Sequence, residues 1–285
     1  MPNETIALLP DRGVLRLGGA DMRPFLQGLI TSDVDRLDRD GALYGGLLSP
    51  QGKILFEFFV VADGEAVLVD CERARAAELT KRLTFYRLRA KVEIADLSET
   101  HAVAAAWRAG GGEVLPPAGA IAFADPRLAV MGLRLIGERA AIEGLASADA
   151  ADYHRHRMAH GLADSTEIGS GEMFPHECNL DQLGGVDFTK GCYVGQEVVS
   201  RTEHRGTARK RIVPVSGSGL APDMAITAAG KTVGTVLAAQ DGRALALVRL
   251  DRAGEALETG AALESEGGPV MLHKPAWARF AVPGN

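Results

Sequence analysis

Short apolar runs bounded by glycine, proline, serine and aspartate set the reading of the first half of the chain. Gly13 to Leu17, Tyr44 to Leu48, Ile54 to Ala62, Ala66 to Asp70 and Lys91 to Asp96 are expected strands. Ser49-Pro50-Gln51-Gly52 and Asp63-Gly64 supply turns between them. Helices are expected over Met22 to Leu29, with Asp21 as N-cap, and over Cys71 to Leu83. A second round follows: strands over Ala102 to Trp107, Ala120 to Ala124 and Leu128 to Leu135, then a helix from Ser147 to His160 that stops at Gly161. Two such rounds without a clear repeat predict paired α+β lobes. From Arg211 onward, short strands lie between glycine-bearing turns: Ile212 to Ser216, Ala225 to Ala228, Thr232 to Ala238, Ala244 to Leu250 and Pro269 to Leu272. That spacing predicts a small β-barrel or sandwich.

Length and composition narrow the class. The 285 residues suffice for two or three domains, and 46% hydrophobic with 24% charged residues is ordinary for a globular protein. A net charge of −6 fits an enzyme or ligand binder better than a general nucleic-acid binder, and the local cluster Arg201 to Arg211 does not reverse that. No apolar run approaches the roughly 18 residues of a membrane span. Met1 to Asp11 contains Glu4 and Asp11 and reads neither as a secretory signal nor as a transit peptide. Cys71, Cys178 and Cys192 form neither a CxxC pair nor a disulfide framework. A cytoplasmic protein with reduced thiols is expected.

The chemistry concentrates in Met173-Phe174-Pro175-His176-Glu177-Cys178-Asn179-Leu180 and in Gly185 to Glu197, which ends Lys190-Gly191-Cys192-Tyr193-Val194-Gly195-Gln196-Glu197. Gly191 and Gly195 permit tight backbone, and a helix starting near Gly195 would place Gln196 and Glu197 in its first turn. A thiol before such a terminus and beside Lys190 is placed for thiolate stabilisation, which makes Cys192 a candidate reactive residue. The alternative for a lone cysteine is a small buried hydrophobe. No histidine–carboxylate pattern nearby identifies a general base.

Lys190 to Glu197 resembles the KGC[FY]xGQE signature of the YgfZ family, folate-dependent proteins that support iron–sulfur cluster assembly or repair. The similarity continues through Val198 to Arg201 and His204-Arg205-Gly206. It also covers Phe25 to Val34, Leu48 to Ile54 and Tyr86 to Val92. That family is similar in fold to the aminomethyltransferase (T-protein) of the glycine cleavage system. The resemblance implies a two-lobed α+β folate-binding body over residues 1–208 and a C-terminal β-barrel over 209–285. It implies tetrahydrofolate as cofactor, iron–sulfur enzymes or assembly proteins as partners, and a functional Cys192 acting as nucleophile, transient cluster ligand or redox handle. The residues expected round the folate are Asp33, Glu57, Lys190, Gly191, Tyr193, Gln196, Glu197 and Arg201. No metal site, membrane or specific nucleic acid is expected.

Two departures argue against T-protein chemistry. The T-protein's acidic pair corresponds to Phe56-Glu57, so one carboxylate remains, on a longer side chain. The alternative for Glu57 is a solvent-facing residue on an alternating strand. The glutamate of the T-protein's LRLEAG-like stretch, which recognises the pterin, corresponds to Ala159, which cannot make its hydrogen bonds. His154, His156 and His160 are expected to form a polar helix face, lacking an HExxH pattern. Arg201, Arg205, Arg209, Lys210 and Arg211 are candidates for a polyglutamate tail, or a solvated link to the barrel. The function expected is a tetrahydrofolate-binding accessory protein for iron–sulfur cluster assembly or repair. The alternatives are a folate-dependent aminomethyl or one-carbon transferase and a folate-stabilised scaffold.

Overall fold

The computed structural model describes residues 4–109, 112, 114–206 and 208–284. Strands β1 (Glu4–Leu8) and β2 (Arg12–Gly18) lead into helix α1 (Met22–Gln27) and the single turn α2 (Leu37–Asp40). Next come β3 (Ala42–Leu48), β4 (Ile54–Asp63), β5 (Ala66–Glu72) and α3 (Ala76–Arg87). The middle of the chain holds β6 (Glu93–Asp96), β7 (His101–Arg108), β8 (Ile121–Ala124) and β9 (Leu133–Glu138), then α4 (Arg139–Glu143), α5 (Ala150–Ala159) and α6 (Ser165–Ile168). A long irregular segment leads to α7 (Gln196–Arg205). The tail is β10 (Lys210–Gly217), β11 (Ala225–Ala228), β12 (Lys231–Gln240), β13 (Arg243–Arg249), α8 (Leu250–Glu258), β14 (Leu263–Ser265) and β15 (Gly268–Leu272).

Three antiparallel sheets result. One has the order β3-β4-β5-β2-β6, a second β1-β7-β9-β8, and the third closes into a barrel, β10-β13-β12-β11-β14-β15. Because β1 pairs with β7 while β2 pairs with β5, the lobes are interleaved: the chain starts in the second sheet and crosses to the first. The first sheet is covered on both faces, which explains the unbroken apolar run of β4. Phe56, Phe58 and Val60 pack under α1 and α3 with Leu26, Leu79 and Leu83. Phe59 and Val61 face the second sheet with Val103, Trp107 and Ile136. A strand buried on both faces has no solvent side, so its period-two signal disappears.

Three elements differ from expectation. The strand β5 runs on to Glu72 because Cys71 still pairs with Phe58 and Gly13, so the helix starts only at Ala76. The expected strand Leu128 to Leu135 is broken by a 3-10 turn over Ala129–Met131. After β13, Leu250, Ala253, Ala256 and Leu257 recur at helical spacing and pack α8 against the barrel core.

The two sheets are joined by charge as well as by apolar packing. Asp70 of β5 accepts from Arg12 Nε (2.6 Å) and from Arg134 Nε of β9 (2.8 Å). Arg12 Nη1 continues to Asp164 Oδ1 (3.0 Å) and Ser165 Oγ (3.1 Å) at the start of α6. Arg134 and Arg127 both donate to the Tyr153 hydroxyl of α5 (2.9 Å each), and Arg127 is held by Asp125. Arg157 binds Glu167 through two nitrogens (2.8 and 2.7 Å). All these side chains are buried, and the Arg134 guanidinium lies 4.1 Å from the Phe59 ring centroid. Removing one member of such a network leaves an uncompensated buried charge. Arg134→Ala should therefore cost about 3–5 kcal/mol in urea unfolding; a loss below about 1 kcal/mol would show that the network does not join the lobes.

Candidate functional site

The segment 185–198 is held rigidly by groups on three sides. After α1, Thr31 Oγ1 donates to the Gly185 carbonyl (2.5 Å) and accepts from Gly46 N (2.9 Å), while Asp187 N donates to the Thr31 carbonyl (2.9 Å). Asp187 Oδ1 then gathers the Thr189 N–H, the Thr189 hydroxyl and the Lys190 N–H (2.8, 2.7 and 3.0 Å). Burial opposes ionisation of Asp187, but these hydrogen bonds and nearby Arg36 outweigh it and hold the carboxyl below its ordinary value. Lys190 turns inward: Nζ donates to the carbonyls of Ile30 (2.8 Å) and Ser32 (2.6 Å) and lies 5.3 Å from the Tyr193 ring centroid. Burial pulls its ammonium down to about 8, against the opposing charges of Asp33, Asp187 and Asp35. The buried Tyr193 hydroxyl is pushed up to about 12 by the same cause.

Gly195 completes the clamp. Its φ is +83°, and a Cβ there would stand 2.5 Å from the Ser49 carbonyl, so only glycine lets the β3–β4 turn pack on the helix start. Helix α7 begins at Gln196, with Glu197 in its first turn, as its sequence predicts. Gly191 is neither crowded nor in the left-handed region. Between these fixed points Cys192 is exposed, whereas Cys71 and Cys178 are buried. Burial pushes the Cys71 thiol up to about 12 and the Cys178 thiol well upward, which makes both unreactive.

The expected site residues separate into three places. Asp33, Lys190 and Tyr193 lie behind the loop, where Asp33 Oδ1 accepts from Gln27 Nε2 (2.7 Å) and caps a short 3-10 turn. Gln196, Glu197 and Arg201 sit on α7, where Glu197 and Arg201 are exposed and face each other at 3.5 Å. Lys190 spends its ammonium on carbonyl oxygens and makes no hydrogen bond to Cys192, so thiolate stabilisation by this lysine is not what the fold provides. Glu57 is elsewhere. At 3% exposure it belongs to the buried network, accepting from Ser165 Oγ (2.5 Å) and standing 3.4 Å from Arg12 Nη1. Burial pushes its pKa up, and Asp164 adds to the rise against Arg12 and Arg127. Its position in a doubly covered strand was the signal that it faces neither solvent nor an open channel.

The sequence reading did not find Arg12, Asp70, Arg127, Arg134, Arg157, Asp164 or Glu167. An arginine inside Leu133-Arg134-Leu135-Ile136 was the available clue, since a charge in an apolar strand needs a buried partner. The histidines of α5 form ring contacts: His156 stacks on Trp107 with centroids 5.2 Å apart, and His160 meets His156 edge-on at 4.8 Å. Arg211 is no tail ligand, because Asp181 holds it at 2.6 and 3.0 Å. His176 Nε2 lies 3.0 Å from Glu203 Oε2, with Asp181 close by. Arg211 already neutralises Asp181, so this trio ties α7 to the barrel entry and is a poor cation site.

Cavities of ligand size lie away from Glu57 and Cys192. One of about 450 Å³ between α5 and the barrel is lined by Val130, Met158, Ala159, His160, Arg243 and Trp277, among others. It shares Ala159 and Arg243 with a neighbouring cavity of about 730 Å³ that reaches Trp107 and His156. Another of about 300 Å³ lies under α7, with Arg209, Lys210 and Arg249 on its walls.

Comparison with known proteins gives a consistent picture. Residues 209–280 match the family described as CAF17, C-terminal beta-barrel domain. The human mitochondrial iron–sulfur cluster assembly factor IBA57 is 33% identical over 93% of this chain and 82% of its own length. Its mitochondrial homologue in Pyricularia oryzae is 31% identical over 93% and 77%. The Mycosarcoma maydis homologue is 35% identical over 74% of this chain, which there spans 57% of the relative's length. In fold, the chain superposes on the glycine cleavage system aminomethyltransferase T from Bartonella henselae with a TM-score of 0.75, at 14% identity, over 96% of this chain and 86% of the other. The α+β body with a C-terminal barrel is thus the aminomethyltransferase fold. The mitochondrial relatives overturn the cytoplasmic expectation. Charge balance and unpaired cysteines report a reducing surrounding and do not name the compartment.

The pH response follows from the network. The raised Glu57 group contributes stability that is full below its unfolded value, about 4.3, and is lost as pH rises through its folded value. Asp125 and Asp164 are lowered, so their contribution is present above about 3.9 and is lost as pH falls. Glu57→Gln should match wild type in melting temperature near pH 5 and exceed it near pH 8. A constant difference between the two proteins across that range would remove Glu57 as the titrating group.

Proposed function

The chain belongs to the family of the iron–sulfur cluster assembly factor IBA57, and from that membership we propose that it serves cluster assembly through the thiol of Cys192. The observation that carries the reading is the contrast among the three cysteines: two are sealed in cores, and one stands exposed on a loop pinned from three sides. Such clusters are held by cysteine ligands in sets of about four. A single thiolate on this chain is therefore a transient ligand or handle for a cluster whose other ligands come from a partner protein. A nucleophilic role has less support, since no histidine or carboxylate is hydrogen-bonded to the Cys192 sulfur to act as base. Aminomethyl transfer has less still, because Glu57, the retained acid, is buried against Arg12 and Ser165. This reading extends the resemblance to the YgfZ family from sequence to the placement of its motif.

We also propose tetrahydrofolate as a ligand, at a place other than the one first expected. Asp33, Glu57 and Arg201 do not converge: Glu57 is buried between Arg12 and Ser165, whereas Arg201 is exposed on α7, so that set does not fit the cofactor. The cavity of about 450 Å³ beside Ala159 suits a reduced pterin in size and lining. His160 and Trp277 would hold the ring and Arg243 the carboxylate tail; the ligand would bring one-carbon carrier chemistry.

Cys192→Ala should leave the fold intact and abolish support for cluster-containing enzymes in a strain lacking the native protein. Full complementation by that variant would end the thiol reading. The folate reading has its own optical test, because the two tryptophans, Trp107 and Trp277, line these adjoining cavities. Titration with tetrahydrofolate should quench intrinsic fluorescence, and Arg243→Ala should weaken binding about tenfold or more. An unchanged emission spectrum at saturating ligand concentrations would remove tetrahydrofolate from the account.

A further inference from the structure

Residues 81–91, Lys81-Arg82-Leu83-Thr84-Phe85-Tyr86-Arg87-Leu88-Arg89-Ala90-Lys91, carry five cations and no acid in a chain whose net charge is −6. Several surface arginines elsewhere find carboxylates, as in Arg23–Asp38, Arg36–Asp40, Arg75–Glu78 and Arg139–Glu143. Lys81, Arg82, Arg87, Arg89 and Lys91 make no ion pair among the described residues; Arg87 donates to the Val92 carbonyl. The nearby acids do not cancel them. Glu78 is engaged by Arg75, while Asp21, which accepts from the Lys91 N–H, and Glu93 offset charge only at the Lys91 end of the strip. Among these cations, Phe85 is 73% exposed and Leu88 86% exposed. Helix α3 buries Ala76, Leu79 and Leu83, so both side chains lie outside its packed stripe. Leu88 also holds a φ of +46°, a left-handed value that favours glycine, where a large exposed apolar side chain gains nothing from the isolated protein.

Helix α1 relates this strip to the cysteine loop. At its start Asp21 and Lys91 exchange hydrogen bonds, the Lys91 N–H to Asp21 Oδ2 at 2.7 Å and the Asp21 N–H to the Lys91 carbonyl at 3.3 Å. At its far end the Ile30 carbonyl receives Lys190 Nζ at 2.8 Å. Asp21 to Ile30 takes in the helix Met22–Gln27, about 9 Å long at helical rise, and three further residues. A standard interface covers about 800 Å² per partner, a disc about 30 Å across. The contacts of this segment with Lys91 and with Lys190 are therefore spaced within the width of one such interface.

We propose that residues 81–91 form a docking surface for an acidic protein, which lays its negative face on the five cations and takes Phe85 and Leu88 into an apolar recess. The proposal rests on the reading of Cys192 as the cluster-handling thiol, since docking here would bring the partner's cluster to that loop. Charge complementarity selects the occupant: unpaired cations steer and orient an acidic surface. An interfacial membrane anchor needs a full apolar helix face, and α3 has buried its own. A nucleic-acid backbone would engage the cations but leave Leu88 without an apolar partner.

The test places a photo-crosslinking residue at Leu88 in cells, with Met271, an exposed apolar position on the barrel, as control. The expected product is a light-dependent adduct with an acidic protein that carries or receives iron–sulfur clusters, absent from the Met271 control. That protein, purified, should bind the full chain with an affinity that falls as salt rises. The pair Arg82→Glu and Arg89→Glu should weaken binding about tenfold or more, while Arg82→Lys with Arg89→Lys should bind like wild type. Melting temperatures equal to wild type establish that the reversed variant is folded. Lipid or nucleic-acid adducts, the same adducts at both positions, no adduct above control, or unchanged affinity after charge reversal would overturn the proposal. Two strain phenotypes keep the two readings apart. If charge reversal leaves cluster enzymes active while Cys192→Ala does not, the docking surface fails alone; the opposite pattern removes the thiol role and leaves the docking surface.

Discussion

Asp70 is the point on which the two lobes are locked. One carboxylate takes guanidinium hydrogen bonds from Arg12 in its own sheet and from Arg134 in the facing sheet. Those arginines in turn bind Asp164, Ser165 and Tyr153, so two sheets, α5 and α6 share one set of charges. Low-dielectric surroundings make each contact strong and each missing partner expensive, which gives the junction one permitted geometry. Four guanidinium groups (Arg12, Arg127, Arg134 and Arg157) face five carboxylates (Glu57, Asp70, Asp125, Asp164 and Glu167). Burial pushes the Glu57 carboxyl up, in the direction that eases this excess.

That lock decides what the centre of the molecule can do. A carboxylate that orients a reaction must meet its substrate, and Glu57 instead meets Arg12 and Ser165. The fold is that of an aminomethyltransferase, yet its middle is filled by paired charges over the Phe59 ring. Fold and chemistry have separated here, as the grafting of sites on shared scaffolds allows.

The sequence made the architecture legible where local signals were strong. Barrel strands, the α7 start behind Gly195 and most strands of the first sheet follow from turn residues and apolar runs. The errors have physical causes. Cys71 reads as a helix start but is held in β5 by its partners, and the Ala129–Met131 turn interrupts a run that looks continuous. The position of Cys192 was legible through its motif, whereas the roles of its neighbours were not. Lys190 stands close to the thiol in sequence, yet its side chain turns inward to the Ile30 and Ser32 carbonyls that follow α1. The ionic junction joins residues more than fifty positions apart, such as Arg12 with Asp70 and Arg134 with Asp70, and no local pattern announces such pairs.

Rigidity and exposure are combined at the loop by a division of labour along the chain. Asp187, Thr31, Lys190 and Gly195 consume the polar and conformational demands of the backbone, so the cysteine between them needs no contact of its own to stay in place. The segments that carry the family likeness meet round this loop. Phe25 to Val34 supplies the carbonyl cage, Leu48 to Ile54 packs on Gly195, and Tyr86 to Val92 closes the start of α1, the end away from the cage. On the proposed reading, a thiol that passes a cluster to another protein must be reached from outside and must not recoil when reached. A sealed centre with a fixed, exposed edge satisfies both conditions, which an open central channel with a mobile loop would not.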